Sequence, residues 1–255
     1  MLAPKTAATT CAQMRARRAP SQRTSSRVNH TPADATAPLV TVVAPMLAAR
    51  HNIARLARAD LAAALGYFAL IGLGFMLVEM ALLSRLNVYL GHPTLALAVL
   101  LGGLIFFSGL GSLASSKLAI ERPMLARLYP IAPALLVIAV GIALMPVLHA
   151  TEAATRTARI AVSLALVAPP AMCLGLCFPL GLRLVERLER ARGLDPTLGP
   201  WLWGVNGAFG VCASGLALAS SMVWGISVTL FLGAACYLAL PLATWHLSRR
   251  SHPVE

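Results

Sequence analysis

The chain has 255 residues, of which 58% are hydrophobic and only 12% carry a charged side chain; its mean hydropathy is +0.75. Soluble domains run nearer a quarter charged residues, because their surfaces face water. This composition excludes an ordinary soluble domain and predicts an all-α, polytopic integral membrane helical bundle. The formal net charge of +12 would suggest nucleic-acid binding in a soluble protein. Here the positive charge is assigned mainly to the cytoplasmic loops and tails, where anionic lipid headgroups favour it. No nucleic-acid partner is expected.

Residues 1–59 are predicted to be a disordered, basic tail with an interfacial segment. Residues 1–34 lack an apolar core, which excludes an ordinary secretory signal. They superficially resemble an organellar transit peptide. An alternative is that they are an upstream extension of a truncated reading frame. A flexible or non-functional tail is favoured. Residues 35–49 are uncharged but short and contain two prolines, so their entry into the membrane stays open. Residues 50–60 are predicted to be a short basic amphipathic approach to the membrane.

Six charge-poor stretches reach the length of about 20 residues that a membrane span needs. Within a predicted six-helix domain at residues 60–248, the spans lie at about 62–84, 94–116, 128–148, 160–182, 201–222 and 226–246. The uncharged run at 196–248 would be far too long for one span as a single helix. It is therefore predicted to fold back at residues 224–227. Residues 249–255 are predicted to be a short cytoplasmic tail, and the connector at 183–195 to be an interfacial helix.

Aromatic and basic residues predict the topology. All four tryptophans fall at predicted span ends, where indole rings favour the membrane interface. Of the 21 Lys and Arg residues, 18 lie on the side that carries both termini. The opposite side carries only Arg85, Arg156 and Arg159. Both termini are thus predicted to be cytoplasmic, in a multi-pass protein of the inner (plasma) membrane.

Glu79 is the one acidic residue within a predicted span. A carboxylate at membrane depth costs a few kcal/mol, so it usually faces a partner or a water-filled cavity. It is a candidate cation, proton or amine site; an interhelical hydrogen bond or a side chain reaching the interface is the alternative. The polar groups expected nearest to it are Arg159, Ser163, Ser220 and Thr229. Asn206, a further candidate, is expected about 18 Å away along the membrane normal and hence not to be its partner.

Proline marks two further candidate regions. Pro169, Pro170 and Pro179 predict a kink or break in the fourth helix, and broken helices line substrate sites in transporters. Proline kinks also occur as plain architecture, and both interpretations stay open. His92 precedes Pro93 between the first two helices. The pair is expected to form a turn, although an imidazole there could titrate near neutral pH.

Small residues at helical spacing predict close helix packing, since lipid supplies no hydrophobic drive for association. They lie on helix 2 (Ser108, Gly109, Gly111, Ser112, Ser116) and on helix 5 (Gly204, Gly207, Gly210, Ala213). Cys173 and Cys177 share a helical face, but packing is favoured over a metal site. The GxGxxA pattern at residues 109–114 lies within an apolar span and is not a dinucleotide site. No catalytic residue, cofactor or metal is assigned.

Several segments together resemble a known family. They include GFMLVE, LGHP, FSGLGSLASS, CLGLCFPLGLRL and PWLWGVNGA. These resemble the membrane region of bacterial proteins in which a spermidine-synthase-like domain is fused to major-facilitator-like helices. The resemblance covers about residues 62–245 and implies a module whose soluble synthase domain is absent here. Positions typical of the block are matched at Glu79, His92, Pro93, Pro179, Trp203 and Asn206, without implying a role for any of them.

Three hypotheses follow. The favoured one is an integral membrane module that anchors or partners a separately encoded synthase-like enzyme. The alternative is a half-transporter-like protein that moves a polyamine or other small cationic solute, with Glu79 as counter-charge. A membrane-embedded enzyme is weakest, because no nucleophile–base or metal constellation is found. The expected partners are the lipid bilayer and, where the module hypothesis holds, that soluble enzyme; a homo-oligomer stays open.

Overall fold

The computed structural model of the chain describes Ala49 and residues 52–117 and 129–250. These residues form six long helices: α1 (Arg58–Leu90), α2 (Pro93–Ser115), α3 (Ile131–Ala150), α4 (Arg156–Ala191), α5 (Gly199–Val223) and α6 (Ile226–Arg250). Each is long and apolar enough to cross a bilayer, and no strand occurs in the described part. The all-α, multi-pass membrane fold is therefore confirmed. The predictions for the tail at 1–34, for residues 35–48 and for residues 251–255 lie outside the described residues.

Two helices extend well beyond their predicted spans. The six spans each overlap one helix, but α1 has 33 residues and α4 has 36. The stretch predicted as an interfacial connector from residue 183 is instead the last part of α4, which continues to Ala191. The reason is packing, because Leu184, Val185 and Leu188 on this stretch are all buried in the bundle.

The fourth helix was predicted to kink or break at its prolines, and the break does not occur. Helix α4 runs unbroken through Pro169, Pro170 and Pro179. Each proline removes one amide donor. Lipid, however, offers a broken backbone no partner, and neighbouring helices hold proline-containing membrane helices in place.

Glycines in left-handed conformation make two of the turns. Helix α1 ends at Leu90 and is capped by Gly91, whose φ is 69°. His92 then precedes α2, which begins at Pro93 with proline in its favoured first-turn position. Helices α5 and α6 are separated at Trp224 and Gly225, where the glycine has a φ of 89°. The chain thus turns where the uncharged run was predicted to fold back.

Helix α1 is the centre of the bundle and contacts α2, α4, α5 and α6. Helices α2 and α4 pack through small residues: Gly111 lies on the backbone of Met172, and Gly175 lies on the backbone of Ser108. The packing prediction for helix 2 is thus confirmed at Ser108 and Gly111, whereas an added methyl group at Gly109 would meet open space. For helix 5 it is confirmed at Gly210, which lies near Met76, and at the buried Ala213, but not at Gly204 and Gly207, which face open space.

Candidate functional site

A cleft of about 660 Å³ lies between α2 and α5, with α1 and α4 at its base. It is called the α2–α5 cleft below. Most of its lining is apolar, and no charged residue is among the described residues that line it. The polar groups are four side chains from two helices: Ser108, Ser112, Asn206 and Ser214.

Two glycines, which have no side chain, leave this space open. Gly109 on α2 and Gly207 on α5 both line the cleft, and neither has another residue's atoms within contact distance of its missing Cβ. Beside them, Ile105 and Val211 line the cleft and are exposed at the bundle surface. Because exposed apolar side chains of a membrane bundle face lipid, the cleft opens laterally toward the bilayer.

Asn206 brings unused hydrogen-bonding capacity to the cleft. Its backbone carbonyl lies against Gly72, which is why α1 and α5 can approach here only without a side chain at that position. Its Oδ1 is buried beside Gly72 and has no hydrogen-bond partner among the described residues. An unsatisfied buried acceptor costs about 1–3 kcal/mol. A ligand with a hydroxyl or N–H group would remove that cost once the Asn206 amide turns from Gly72 toward the cleft.

A row of aromatic rings runs from the core to the cleft. Tyr67, Phe68, Phe178 and Trp203 contact one another edge to face, with successive centroid distances of 5.3, 5.2 and 4.9 Å. The row is fixed at its inner end, where the Tyr67 hydroxyl donates to the Cys177 carbonyl at 2.7 Å. Phe178 and Trp203 line the cleft, so this wall is held in place by the packed core.

The Tyr67 hydroxyl also lies 2.6 Å from that of Tyr129, just before α3. Burial raises the pKa of Tyr129 well above its usual range, so this hydroxyl remains a neutral hydrogen-bonding group.

The candidate residues from the sequence fall into different places. Asn206 and Pro179 line the α2–α5 cleft, whereas Pro169 and Pro170 do not. His92 is exposed at the start of α2. Glu79 is buried and lies on the same face of α1 as Gly72, Phe75 and Met76, one turn beyond the cleft.

The polar groups expected nearest to Glu79 make their hydrogen bonds to other residues. Arg159 donates to the Tyr89 carbonyl at 2.8 Å, and Ser163 donates to the Arg159 carbonyl. The hydroxyls of Ser220 and Thr229 pair with each other at 2.9 Å.

Glu79 makes no hydrogen bond or ion pair with the residues that the structure describes. It lies seven residues from Gly72, which touches Asn206, so its offset from Asn206 is about 10 Å along α1. That is shorter than the 18 Å expected from the predicted spans, because α5 is displaced along α1.

No family model, curated protein or solved structure matches the chain. The Cys177 thiol donates to the Cys173 carbonyl. No group of three or more potential metal-ligating side chains is present in the described ranges.

A polar network at the end of the bundle where α1 begins and α6 ends was not predicted. The buried Asp60 carboxylate contacts Arg192 Nη2 at 2.7 Å and His246 Nε2 at 2.9 Å. Glu189 accepts from Asn52 Nδ2 at 2.7 Å and from the Thr197 amide at 3.0 Å. These contacts hold the start of α1, the α4–α5 connection and the end of α6 together. No local pattern could reveal them, because the partners are far apart in sequence.

Proposed function

We propose that this chain is an integral membrane module that binds an uncharged, mainly apolar molecule in the α2–α5 cleft. The observation that carries the proposal is an unfilled lateral cleft with an unpartnered Asn206 acceptor at its wall. Its volume of about 660 Å³ falls in the range of small-molecule sites, which are mostly apolar with a few placed polar groups. The absence of charge among the lining residues favours a neutral ligand, since an unpaired ion there would be poorly solvated.

Binding can be measured by quenching Trp203, which lines the cleft. The starting protein keeps Trp203 and carries phenylalanine in place of the other three tryptophans. A brominated monoacylglycerol, which is neutral and has hydroxyl donors for Asn206, is the quencher. We expect saturable quenching, and we expect Gly207→Leu to abolish saturation because its side chain occupies the cleft.

Gly215→Leu is the matched control, because Gly215 is on the same helix, also faces open space and does not line the cleft. It should bind like the starting protein. Quenching that rises without saturation, as for dissolved lipid, or equal binding by both leucine variants, would exclude the cleft as the site.

The cation-transporter alternative has one supporting observation, the buried Glu79 on the cleft-lining face of α1. Proteoliposomes of a Glu79→Gln variant should then lose amine-stimulated flux. Equal flux in variant and parent would remove Glu79 from the mechanism, and no flux in either would reject cation transport.

We further propose that the module anchors or partners a separately encoded spermidine-synthase-like enzyme. The segments FSGLGSLASS, CLGLCFPLGLRL and PWLWGVNGA, which carry that resemblance, also supply Ser108, Pro179, Trp203 and Asn206 to the cleft. A reading frame next to this one that encodes a synthase-like domain, and whose product co-purifies with the chain, would support the proposal. A purified pair that does not associate in detergent would contradict it.

The distribution of basic residues supports a proposed orientation in the inner membrane with both termini on the cytoplasmic side. Tags at the two ends should both be protected from protease in intact spheroplasts and cleaved after lysis. Cleavage of either tag in intact spheroplasts would contradict this topology.

A further inference from the structure

A second cavity, of about 180 Å³, lies at the end of the bundle where α1 ends and α4 and α6 begin. It is called the arginine pocket below, and two arginines line it: Arg85, near the end of α1, and Arg159, in the first turns of α4. Among the Lys and Arg residues that the structure describes, only Arg85, Arg156 and Arg159 belong to this end. Two of the three therefore converge on one small cavity.

Neither arginine of this pocket is neutralised by a described carboxylate. Arg85 donates to the Ser227 hydroxyl at 2.9 Å, and Arg159 donates to the Tyr89 carbonyl at 2.8 Å. The Arg159 Nε is buried and has no acceptor in the part of the chain that the structure describes. A guanidinium has five N–H donors in a fork that fits oxyanions, so most of the donor capacity of this pair is unused.

One acidic residue, Glu152, also lines the pocket. Its carboxylate lies 3.8 Å from His149 Nδ1, and both side chains are largely exposed at the rim. The two arginines exceed this single negative charge, so the pocket keeps a net positive charge.

The helix N-termini around the pocket also favour an anionic ligand. Helix α4 begins at Arg156 and α6 begins at Ile226, which lines the pocket, and neither helix has an acidic residue in its first turn. Helix N-termini carry partial positive charge from free amide groups and favour anions. Placing arginines there is unfavourable unless a negative group compensates for them.

We propose that the arginine pocket binds a phosphate group, held by Arg85 from α1 and Arg159 from α4, beside the starts of α4 and α6. The cavity has room for a phosphate group and not for a whole lipid. Its position, at the last turn of α1, is the level of lipid headgroups. The group can belong to a phospholipid headgroup or to free phosphate, and the two sources present the same oxygens to the arginines.

Two probes distinguish these sources on the full chain in neutral detergent. Inorganic phosphate is titrated by calorimetry, and retention of dioleoyl phosphatidic acid is followed by native mass spectrometry. Arg85→Gln and Arg159→Gln should each weaken binding by about tenfold or more, since each removes a charge-assisted contact. Binding of phosphatidic acid alone assigns the site to headgroups, and binding of inorganic phosphate assigns it to a free anion.

Arg156→Gln is the control, because it removes the same charge at the same end from an exposed position that does not line the pocket. It should change the affinity by less than about twofold, consistent with a screened surface charge. Arg159→Gln also removes the contact with Tyr89, so Arg85→Gln alone is sufficient for the test. The proposal is overturned if neither probe binds the parent, if Arg85→Gln binds like the parent, or if Arg156→Gln weakens binding as much as the pocket variants.

Discussion

The buried Asp60 carboxylate gives the sharpest test of how the bundle is held together. The side chain of Asp60 is 1% exposed, and its two oxygens each accept from a different partner, Arg192 and His246. In the Asp60→Asn variant one oxygen becomes an NH₂ group that accepts nothing, and the other loses its charge. A hydrogen bond to a charged group contributes about 1.5–3 kcal/mol, roughly twice the neutral value. Losing one such bond and weakening the other predicts a destabilisation of about 2–4 kcal/mol.

The partners set the upper limit of that estimate. The side chains of Arg192 and His246 are 37% and 32% exposed, so water can solvate them after the carboxylate is lost. The larger penalty of about 3–5 kcal/mol for stranding a fully buried charge therefore does not apply.

The free energy of unfolding is measured in mixed micelles with increasing SDS, followed by circular dichroism and tryptophan fluorescence. Glu186→Gln is the matched control, because Glu186 pairs with Arg190 at 3.4 Å on an exposed surface and such pairs contribute at most about 1 kcal/mol. If Asp60→Asn costs no more than Glu186→Gln, the buried network does not stabilise this end and the reasoning is refuted.

Three further predictions use the same unfolding measurement. Gly175→Ala should destabilise by about 1–3 kcal/mol, since its Cβ would overlap the Ser108 backbone; Gly66→Ala, with open space around it, should instead stabilise by up to about 1 kcal/mol. A loss of stability at both positions would contradict the assigned contacts. Gly225→Ala should cost about 1–2 kcal/mol because its φ is 89°, and a neutral result would contradict that turn geometry. Tyr67→Phe should cost about 1–3 kcal/mol through the buried groups it leaves unpaired, and no change would show that these bonds are replaced.

The fold was predictable because the bilayer leaves few choices. A long uncharged run must be helical and must cross or turn back, so the run ending at residue 248 required a turn, which Gly225 provides. The continuity of α4 was not predictable from its prolines. Their local effect opposes the helix, but the lipid around it and the packed Gly175 beside Pro179 outweigh that effect.

The candidate site was only partly predictable for a different reason. Asn206 and Pro179 stood out as residues, but nothing in the sequence showed that they line one cleft. Gly175 and Gly207 are both small residues within apolar helices. One lies beneath a neighbouring backbone and the other faces open space. That difference depends on whether another helix packs against the position. This packing is determined only when the whole bundle assembles.

Helix α1 carries three separate environments along its length, and this order makes them separable by experiment. Asp60 belongs to the buried network, Gly72 to the base of the cleft and Arg85 to the arginine pocket. At 1.5 Å per residue the three positions are about 18 Å and 20 Å apart along one continuous helix. Effects of substitutions farther apart than about 7–10 Å usually add within about 0.5 kcal/mol. Asp60→Asn combined with Arg85→Gln should therefore change the free energy of unfolding by the sum of the single changes, and the double variant should keep saturable quenching at the cleft. A clear departure from additivity would show that α1 transmits changes between its ends, and Glu79, which lies buried between the cleft and the arginine pocket, would then be the first residue to substitute.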